Sequence, residues 1–450
     1  MSKRITVISI SSLFLMIAVH SIIIGQQPSR TTGIKPSSAN TARTAEVIAA
    51  TNQILEEVSK LRGLNVLNPV KSGVKSRNEI EQEVVRNFQE SYKPEELETI
   101  KKLLTAYGLV PKDFKYREFM TKLLTEQVAG FYRTKSKELF IADWNELNQQ
   151  KPVMAHELTH ALQDQHFDLK RFEDWPRGDS DREAAIHALI EGDATGVMFS
   201  YQLKPMNTDI TRLPNITNFA DQSLLQAEKD GQKIFLSAPA SIRESLIFPY
   251  VYGAGFVQEL VRQRGWEGVS LAFNNLPQST EQIIHFNKYA AREEPIKIQL
   301  PDVTSILGAD WKRIDADVNG EFGYFLILSE FIDKKEARTA AEGWGGDHST
   351  LYENAKTKQL LLIHLSVWDS AKDAEEFFQA YKKRTVKRYS QHIEQKERPS
   401  NEHHFQTTDG GTSIKWSDKA VLVIEGWQGE QSVNLEQLVD ACWKSKTPSQ

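Results

Sequence analysis

The amino-acid sequence predicts an α+β protein in which a helix-rich first part is followed by a smaller part of mixed strands and helices. Between residues 44 and 127, apolar residues recur at helical spacing; Ile100 and Leu104, for example, are four residues apart. Toward the C-terminus, short apolar runs typical of strands alternate with segments of helical periodicity. We therefore predict a helix-rich domain over residues 45–300 and a small α+β sandwich over residues 301–450.

Local start and stop signals divide the first part into elements. Pro152 suits the first turn of one helix, and Gly265 is predicted to cap the end of another. Two short strands, residues 131–133 and 138–142, flank a polar turn and form a predicted hairpin. The polar connection over residues 207–239 is interpreted as a lid or an insertion near a cleft. The predicted helices cover residues 44–61, 78–90, 94–107, 113–127, 152–167, 182–198, 244–264 and 269–273.

The C-terminal part is predicted to fold as a packing domain. Its strands are short runs rich in Leu, Ile and Val, and its helices show apolar residues at spacings of three and four. The predicted elements are helix 322–331, strand 360–367, helix 374–389, strands 412–416 and 421–425, and helix 435–443. Substrate binding is the alternative role for this domain, because a fold does not determine a function.

The N-terminal segment predicts export. Lys3 and Arg4 precede an apolar run over residues 5–24, which is the arrangement of a secretory signal. The run is about twenty residues long, so an uncleaved membrane anchor is an alternative. We predict that residues 1–25 are a signal peptide or anchor and that residues 26–44, rich in Ser, Thr and Pro, are a flexible linker. The protein is therefore expected in the periplasm or outside the cell, with a membrane tether as the alternative.

The composition excludes a protein stabilised by intramolecular disulfides and argues against one that binds nucleic acid. Cys442 is the only cysteine, so the chain cannot form an intramolecular disulfide. The 55 basic and 60 acidic residues give a net charge of −5. Nucleic-acid binding requires a clustered basic face, and the sequence contains no such cluster. We therefore expect no nucleic-acid partner.

The run HELTH, residues 156–160, is the stretch of the chain that indicates a chemistry. Two histidines four residues apart lie about 40° apart around a helix, so His156 and His160 can bind one metal ion. Glu157 then lies beside the metal position, where it can take a proton from a water whose pKa zinc lowers to about 7. We interpret the run as part of a zinc hydrolase that uses Zn²⁺. The alternative is an ordinary amphipathic helix with two incidental histidines.

A catalytic zinc site needs three protein ligands and an open position, so a third ligand must come from elsewhere. The helix predicted over residues 182–198 offers Glu183, His187 and Glu191, which recur every four residues along one face. Any of the three could coordinate zinc, and the spacing leaves the choice open. The alternative is a solvated acidic face.

A HELTH helix followed by the segment ALIEGDAT, residues 188–195, resembles the gluzincin metallopeptidases. The chain is most similar to secreted bacterial proteins with the run HELTHALQDQHFDL, and the similarity extends to residues 128–132, 279–285 and 343–347. The resemblance implies a zincin-like fold for the helix-rich domain.

The resemblance also implies roles for individual residues. Both histidines of the HELTH run are then zinc ligands, Glu157 is the catalytic base and Glu191 is the third ligand. Many gluzincins carry an Asp four residues after the ligand Glu, but Thr195 occupies that position here. Asp193 is expected to orient a ligand histidine instead.

Stabilisation of the oxyanion that forms during amide hydrolysis needs a further hydrogen-bond donor, usually Tyr, His or Arg in zinc peptidases. His285 is the first choice for this role. The other candidates in the sequence are Tyr250, Tyr252 and Tyr289.

We predict an exported zinc metallopeptidase that hydrolyses a peptide or protein substrate, with zinc-activated water and Glu157 as general base. One alternative is a noncatalytic exported zinc protein with a structural metal or a peptide-binding cleft. A second alternative is a zinc amidohydrolase acting on cell-wall crosslinks. The predicted hairpin either binds an extended substrate along its edge or only packs against the metal helix.

Overall fold

The computed structural model describes residues 38–127, 130–173, 178–219, 227–229, 231–395, 399–428 and 435–446. These residues form helices and two β-sheets, so the predicted α+β class is confirmed. The predicted export segment (residues 1–25) lies outside the described residues, as does most of the predicted linker (residues 26–44). Among the described residues, no helix has both the length and the hydropathy needed to cross a membrane.

The first part of the chain is mainly helical, and each helix predicted there overlaps an observed one. The helices are α1 (Ser38–Arg62), α2 (Arg77–Ser91), α3 (Pro94–Tyr107), α4 (Tyr116–Gln127), α5 (Leu147–Phe167), α6 (Lys170–Glu173), α7 (Ser180–Leu203), α8 (Lys233–Ser237), α9 (Ala240–Asn274), α10 (Thr280–Ile284), α11 (Phe286–Ala291) and α12 (Thr304–Leu307). Gly265 adopts φ 65° and ψ −171°, which interrupts α9 near the end that the sequence predicts. Short 3₁₀ helices lie within the polar connection between α7 and α8: Lys204–Met206, Ile210–Arg212 and Ile216–Phe219.

Helix α5, which carries the HELTH run, begins earlier than predicted. It starts at Leu147, so Pro152 lies inside the helix rather than in its first turn. Gln150 holds the added turn in place, because its side-chain amide donates hydrogen bonds to the carbonyl oxygens of Ala142 (3.0 Å) and Asn145 (2.8 Å). These hydrogen bonds fix the start of α5 against the strand that ends at Ala142.

A small sheet lies beside α5. The predicted hairpin is confirmed, and its strands β2 (Gly130–Arg133) and β3 (Glu138–Ala142) pair antiparallel. A third strand, β1 (Lys71–Lys75), pairs parallel with β3 and gives the order β1-β3-β2. The β1 sequence, KSGVK, has no alternation of apolar residues, so its strand conformation depends on pairing with a distant segment.

Helices α7 and α9 cross in close contact at two glycines. A Cβ atom on Gly192 would lie 2.2 Å from the backbone carbon of Gly253, and one on Gly253 would lie 2.0 Å from the carbonyl oxygen of Ala188. Only residues without side chains allow the two backbones to approach so closely. The contact lies one residue beyond Glu191, so it fixes the position of that side chain relative to α9.

Replacing Gly253 with Ala should therefore destabilise the protein strongly. The added methyl group meets backbone atoms, which no change of rotamer can relieve, and we expect the free energy of unfolding to fall by roughly 3 kcal/mol. Gly196→Ala on α7 is the control, because the Cβ of this residue would meet the end of the Ile210 side chain at 3.0 Å. Chemical denaturation of both variants measures the difference; equal losses would contradict the close-contact explanation.

The C-terminal part is built on a seven-stranded antiparallel sheet of order β4-β5-β6-β10-β9-β8-β7. The three predicted strands are present as β6, β9 and β10, and four further strands were not predicted. The strands are β4 (Trp311–Asp317), β5 (Trp344–Asn354), β6 (Leu360–Trp368), β7 (His392–Glu394), β8 (Glu402–Thr407), β9 (Gly410–Ser417) and β10 (Ala420–Trp427). The helices of this part are α13 (Gly320–Ser329), α14 (Lys334–Ala341), α15 (Ala371–Arg388) and α16 (Leu435–Trp443).

The C-terminal sheet is buried on both faces. One face packs with α13 and α15 in the largest hydrophobic core, which also includes Tyr107 and Leu109 of the first part. The other face packs against α16 and the segment that contains Leu300 and Val303. The largest core thus runs across the predicted domain boundary at residue 300, which stays a prediction.

Buried charged side chains connect α3 to the C-terminal part. Arg384 of α15 donates to Glu425 at 2.7 Å and also to the carbonyl oxygen of Tyr107. Arg388 donates to Glu425 at 3.0 Å and to the carbonyl oxygen of Ala106 at 2.7 Å. The last carbonyl groups of α3 are therefore satisfied by two arginines from the other part of the chain.

Candidate metal centre

The structure brings together three of the residues predicted to hold a metal. His156 and His160 lie on α5 and Glu191 lies on α7, and their donor atoms all fall within 4.8 Å of one another. The Nε2 atoms of the two histidines are 2.9 Å apart. Glu191 Oε2 lies 3.2 Å from His156 Nε2 and 3.5 Å from His160 Nε2. The helix spacing of the histidines and the crossing of α5 and α7 together produce this group.

The group has the dimensions of a zinc site. Ligand bonds of about 2.0–2.1 Å in tetrahedral geometry place donor atoms roughly 3.3 Å apart, which is close to the three distances observed. Two imidazoles and one carboxylate are a donor set typical of catalytic zinc. Among the described residues, no fourth His, Cys, Asp or Glu joins the group. The three residues therefore could hold a divalent metal and leave a coordination position open.

The other two candidates for the third ligand lie outside this group. His187 is nearest, with its Nε2 3.3 Å from Glu191 Oε1, which is the oxygen that faces away from the two histidines. These two atoms are buried and do not meet in hydrogen-bond geometry. His187 therefore lies beside the carboxylate of Glu191, whereas Glu183 is absent from the cluster.

The protonation of His160 follows from its contact with Gln163. The Gln163 side-chain nitrogen lies 3.0 Å from the carbonyl oxygen of Ile190 and 2.9 Å from Asp193 Oδ2, which are both acceptors. The amide oxygen of Gln163 must therefore face His160 Nδ1, at 2.8 Å. Since this oxygen only accepts, Nδ1 carries the hydrogen. The neutral imidazole then presents the lone pair of Nε2 to the metal position.

Asp193 thus connects to His160 through Gln163, and the role predicted for it, orienting a ligand histidine, stays a prediction. Asp193 is in turn held by Arg62 of α1, whose Nε donates to Oδ1 at 2.6 Å. Arg62 also donates to the carbonyl oxygen of Trp266 and to Ser270 Oγ, both at 3.0 Å. We call the chain of contacts from Arg62 through Asp193 and Gln163 to His160 the Arg62 relay. It is buried along its length, and no local sequence signal indicates it.

Breaking the Arg62 relay should weaken metal binding while the fold is kept. Gln163→Met preserves side-chain size but removes the acceptor for His160, and losses of this kind typically cost 10–100-fold in metal affinity. We expect a loss of that size in zinc titrations followed by calorimetry. Gln149→Met is the control, because Gln149 is exposed on the same helix. Unchanged zinc affinity in Gln163→Met would show that the relay does not orient the ligand.

His160 and Glu191 form an oppositely charged pair at the centre of the metal group. Burial acts to lower the pKa of His160, but the Glu191 carboxylate outweighs it and raises the pKa to about 9. Burial acts to raise the pKa of Glu191, but the charge of His160 and the hydrogen bond to His156 hold it well below its usual range. Burial lowers the pKa of His156 to about 4. A metal must therefore displace a proton from His160, so its binding weakens as the pH falls.

Glu157 is buried next to the metal group with one oxygen held and one free of protein partners. Its Oε2 accepts a hydrogen bond from the backbone N–H of Tyr132 at 2.8 Å, whereas Oε1 has no hydrogen-bond partner among the described residues. Burial raises the pKa of Glu157 to about 8, and the charge of His160 opposes this effect. The carboxylate is thus positioned by strand β2 and keeps one oxygen available as an acceptor.

The hairpin contacts the metal helix through both backbone and side chain. Besides the N–H bond to Glu157, the Tyr132 hydroxyl donates to Asp164 Oδ2 at 2.9 Å. Lys137 in the turn also pairs with Asp164. The hairpin thus packs against α5, and both alternatives for its role, packing alone or substrate binding along its edge, stay predictions.

Of the four candidate oxyanion donors, Tyr250 contacts the metal group. Its ring stacks on that of His156, with centroids 6.1 Å apart and planes 28° apart. The Tyr289 hydroxyl donates to the carbonyl oxygen of Asn275 at 2.9 Å. Tyr252 accepts a hydrogen bond from Arg338. This contact depends on how α9 crosses α7, so no local pattern could rank Tyr250 above the other candidates.

His285, the first choice from the sequence, lies in a different cluster. Its Nε2 is 2.9 Å from Glu321 Oε1 on α13, and this hydrogen bond raises the pKa of His285. Among the described residues, no contact joins it to His156, His160 or Glu191. The catalytic role predicted for His285 therefore has no support from a contact.

A second group of carboxylates, near His285, surrounds the ammonium group of a lysine. Glu281, Glu293 and Asp369 bring oxygens within 4.8 Å of one another. The Nζ of Lys288 lies 3.0 Å from Glu281 and 2.6 Å from Glu293, and it also pairs with Asp369. The lysine offsets part of the negative charge of these three carboxylates, so the cluster has the character of an ion-pair network.

Residues 308–436 match a family model described as a domain of unknown function (DUF8575). No curated protein and no solved structure matches the chain. The matched residues contain the seven-stranded sheet, and His156, His160, Glu157 and Glu191 lie outside them. The chain is therefore similar to this family in its C-terminal part.

Proposed function

We propose that this protein is an exported zinc-dependent metallopeptidase whose helix-rich part has a zincin-like fold. The observation that carries the proposal is the group of His156, His160 and Glu191, with Glu157 buried beside it. Three donors spaced for one ion, together with an unpaired carboxylate oxygen, are the parts that metal-assisted hydrolysis requires.

Each residue of the group has a defined task in this proposal. His156, His160 and Glu191 hold the zinc ion, and the Arg62 relay keeps the Nε2 lone pair of His160 directed at it. Zinc, when bound, supplies the Lewis acidity that lowers the pKa of water and polarises a carbonyl group. Glu157 takes the proton from the attacking water and passes it to the leaving amine.

The environment of Glu157 supports its role as a base. The Tyr132 N–H fixes one carboxylate oxygen, so the side chain is preorganised and does not have to reorient during proton transfer. The second oxygen is free of protein partners among the described residues, so it can accept the proton. For the oxyanion, we place Tyr250 before His285, because Tyr250 stacks on a proposed ligand.

The noncatalytic alternative is less well supported. A structural zinc site is closed by four protein ligands, whereas the described residues supply three. His187 is the nearest further histidine, and it lies 3.3 Å from the oxygen of Glu191 that faces away from the metal position. A structural site also has no use for a buried carboxylate such as Glu157, whose burial is costly.

Export remains part of the proposal on sequence grounds. The basic residues and apolar run within residues 1–25 have the order of a secretory signal. The absence of disulfides does not oppose export, because Cys442 is the only cysteine of the chain and is buried.

A substrate panel tests the proposed activity. Purified protein is incubated with casein, with labelled peptides and with crosslinked cell-wall fragments, each with and without a zinc chelator. Chelator-sensitive appearance of new amino termini in casein and peptides supports the peptidase. Release from the cell-wall fragments alone would favour the amidohydrolase, and no cleavage of any substrate by zinc-loaded protein would favour the noncatalytic alternative.

A further inference from the structure

We infer that Asp164 and the Tyr132 hydroxyl group position the catalytic base, because they hold strand β2 where its backbone can donate to Glu157. This inference rests on the proposed peptidase function and adds two positioning residues to it. Asp164 lies on α5 beyond the HELTH run, and it is not part of the metal group. It acts on the reaction through Tyr132 and Glu157.

Tyr132 bridges two positions of the metal helix. Its backbone N–H donates to Glu157 Oε2 at 2.8 Å, and its hydroxyl donates to Asp164 Oδ2 at 2.9 Å. Glu157 and Asp164 are seven residues apart, so they lie on one face of α5, about 10.5 Å apart along the helix axis. Because both bonds come from one residue, β2 cannot slide along α5 without breaking at least one of them.

Strand β2 depends on these bonds because it lies at the edge of its sheet. The order β1-β3-β2 places a neighbouring strand on one side of β2, and Tyr132 lies opposite Leu139 of β3. On the other side, the Tyr132 N–H donates to α5. An N–H group supports a carboxylate only at hydrogen-bond distance and in near-linear geometry. The distance between β2 and α5 therefore decides whether Glu157 stays preorganised.

The bond between the Tyr132 hydroxyl and Asp164 is suited to fix this distance. Both residues are 6% exposed, so water competes little for the bond, and hydrogen bonds to a carboxylate are about twice as strong as neutral ones. Burial raises the pKa of Tyr132, so the hydroxyl keeps its proton and remains a donor. Lys137 also pairs with Asp164, but its side chain is 59% exposed, and such exposed pairs contribute little.

Tyr132→Phe removes the hydroxyl and leaves the backbone N–H. Since displacements of about 1 Å can cost about 100-fold in rate, we expect kcat to fall by at least about 10-fold while KM changes less. Tyr389→Phe is the control, because Tyr389 is equally buried (6% exposed) and its hydroxyl donates to Asp409 at 3.4 Å in the C-terminal part. In a Glu157→Gln background, Tyr132→Phe should cause no further fall, a result that general destabilisation would not produce. The same added fall in both backgrounds would overturn the inference.

Asp164 supplies a second pair of variants, which keeps the inference testable if Tyr132→Phe does not fold. Asp164→Ala removes the acceptor, so kcat should fall as in Tyr132→Phe. Asp164→Asn still offers a side-chain oxygen as acceptor, so most of the loss should be recovered. Equal kcat values for the two Asp164 variants would overturn the inference.

Hydrogen exchange separates failure of this inference from failure of the proposed function. Exchange of the backbone N–H of residue 132 is followed in the zinc-loaded protein, and it should be at least about 10-fold faster in Tyr132→Phe and unchanged in Tyr389→Phe. Faster exchange at this residue supports the positioning role even if wild type cleaves no peptide, which would contradict the peptidase alone. Peptide cleavage by wild type, with unchanged exchange and kcat in Tyr132→Phe, leaves the peptidase standing and overturns the positioning role.

Discussion

Replacing Glu157 with Gln is expected to lower peptide hydrolysis by about 10²–10⁴-fold, the range for loss of a general base. The amide of Gln can still accept the hydrogen bond from the Tyr132 N–H, so the local packing is kept. It cannot take a proton from water at neutral pH. Zinc content should stay at that of wild type, because Glu157 is not part of the metal group.

The matched control for this variant is Glu146→Gln. Glu146 is exposed at the start of the same helix, and its side chain makes no capping hydrogen bond. Hydrolysis of a labelled peptide and zinc content by atomic absorption are measured on both variants. If Glu157→Gln keeps wild-type hydrolysis, Glu157 is not the base. If the variant loses zinc together with activity, Glu157 contributes to metal binding, which contradicts its assignment as a base outside the metal group.

Replacing Glu191 with Ala should lower zinc affinity by at least about 100-fold. Zinc binding energies of about 10–16 kcal/mol are shared among four ligands in structural sites, so one ligand contributes on the order of 3 kcal/mol. The loss of the carboxylate also removes the charge that raises the pKa of His160, which offsets part of this effect because a metal then displaces the proton from His160 more easily. Competition with a chromogenic chelator measures the affinity.

Glu183→Ala and His187→Ala on the same helix are the comparisons for Glu191. Both residues share the helix face with Glu191, and neither belongs to the metal group. Zinc affinity should fall much less in these two variants than in Glu191→Ala. A large loss in Glu183→Ala combined with wild-type affinity in Glu191→Ala would show that the third ligand is assigned wrongly.

His156, Glu157 and His160 could be predicted from the sequence because they are close together in the chain and lie on one helix. The four-residue spacing of His156 and His160 fixes their common helix face whatever surrounds them. The adjacent position of Glu157 follows from the same helix. Glu191 could be chosen over Glu183 and His187 only by resemblance, because the choice depends on how α7 is rotated against α5. That rotation is set by long-range packing, including the glycine contact between α7 and α9.

The parts that sequence reasoning missed depend on contacts between distant residues. Arg62 and Asp193 are 131 residues apart, and only the fold brings them together. The sequence of strand β5, WGGDHSTLYEN, does not alternate between apolar and polar residues. Its polar side chains are buried because the sheet is covered on both faces, so the usual pattern of a strand is absent. The contact between His285 and Glu321 joins residues 36 positions apart, and no local pattern predicts it.

The most direct test of the central claim is a zinc titration of metal-free protein with peptide hydrolysis as the readout. The account predicts no hydrolysis without metal and a rise that reaches its plateau at one zinc ion per chain, since the described residues form one three-ligand group that lacks a cation of its own. Hydrolysis that is independent of zinc, or one bound zinc per chain without hydrolysis of any peptide or protein substrate, would contradict it.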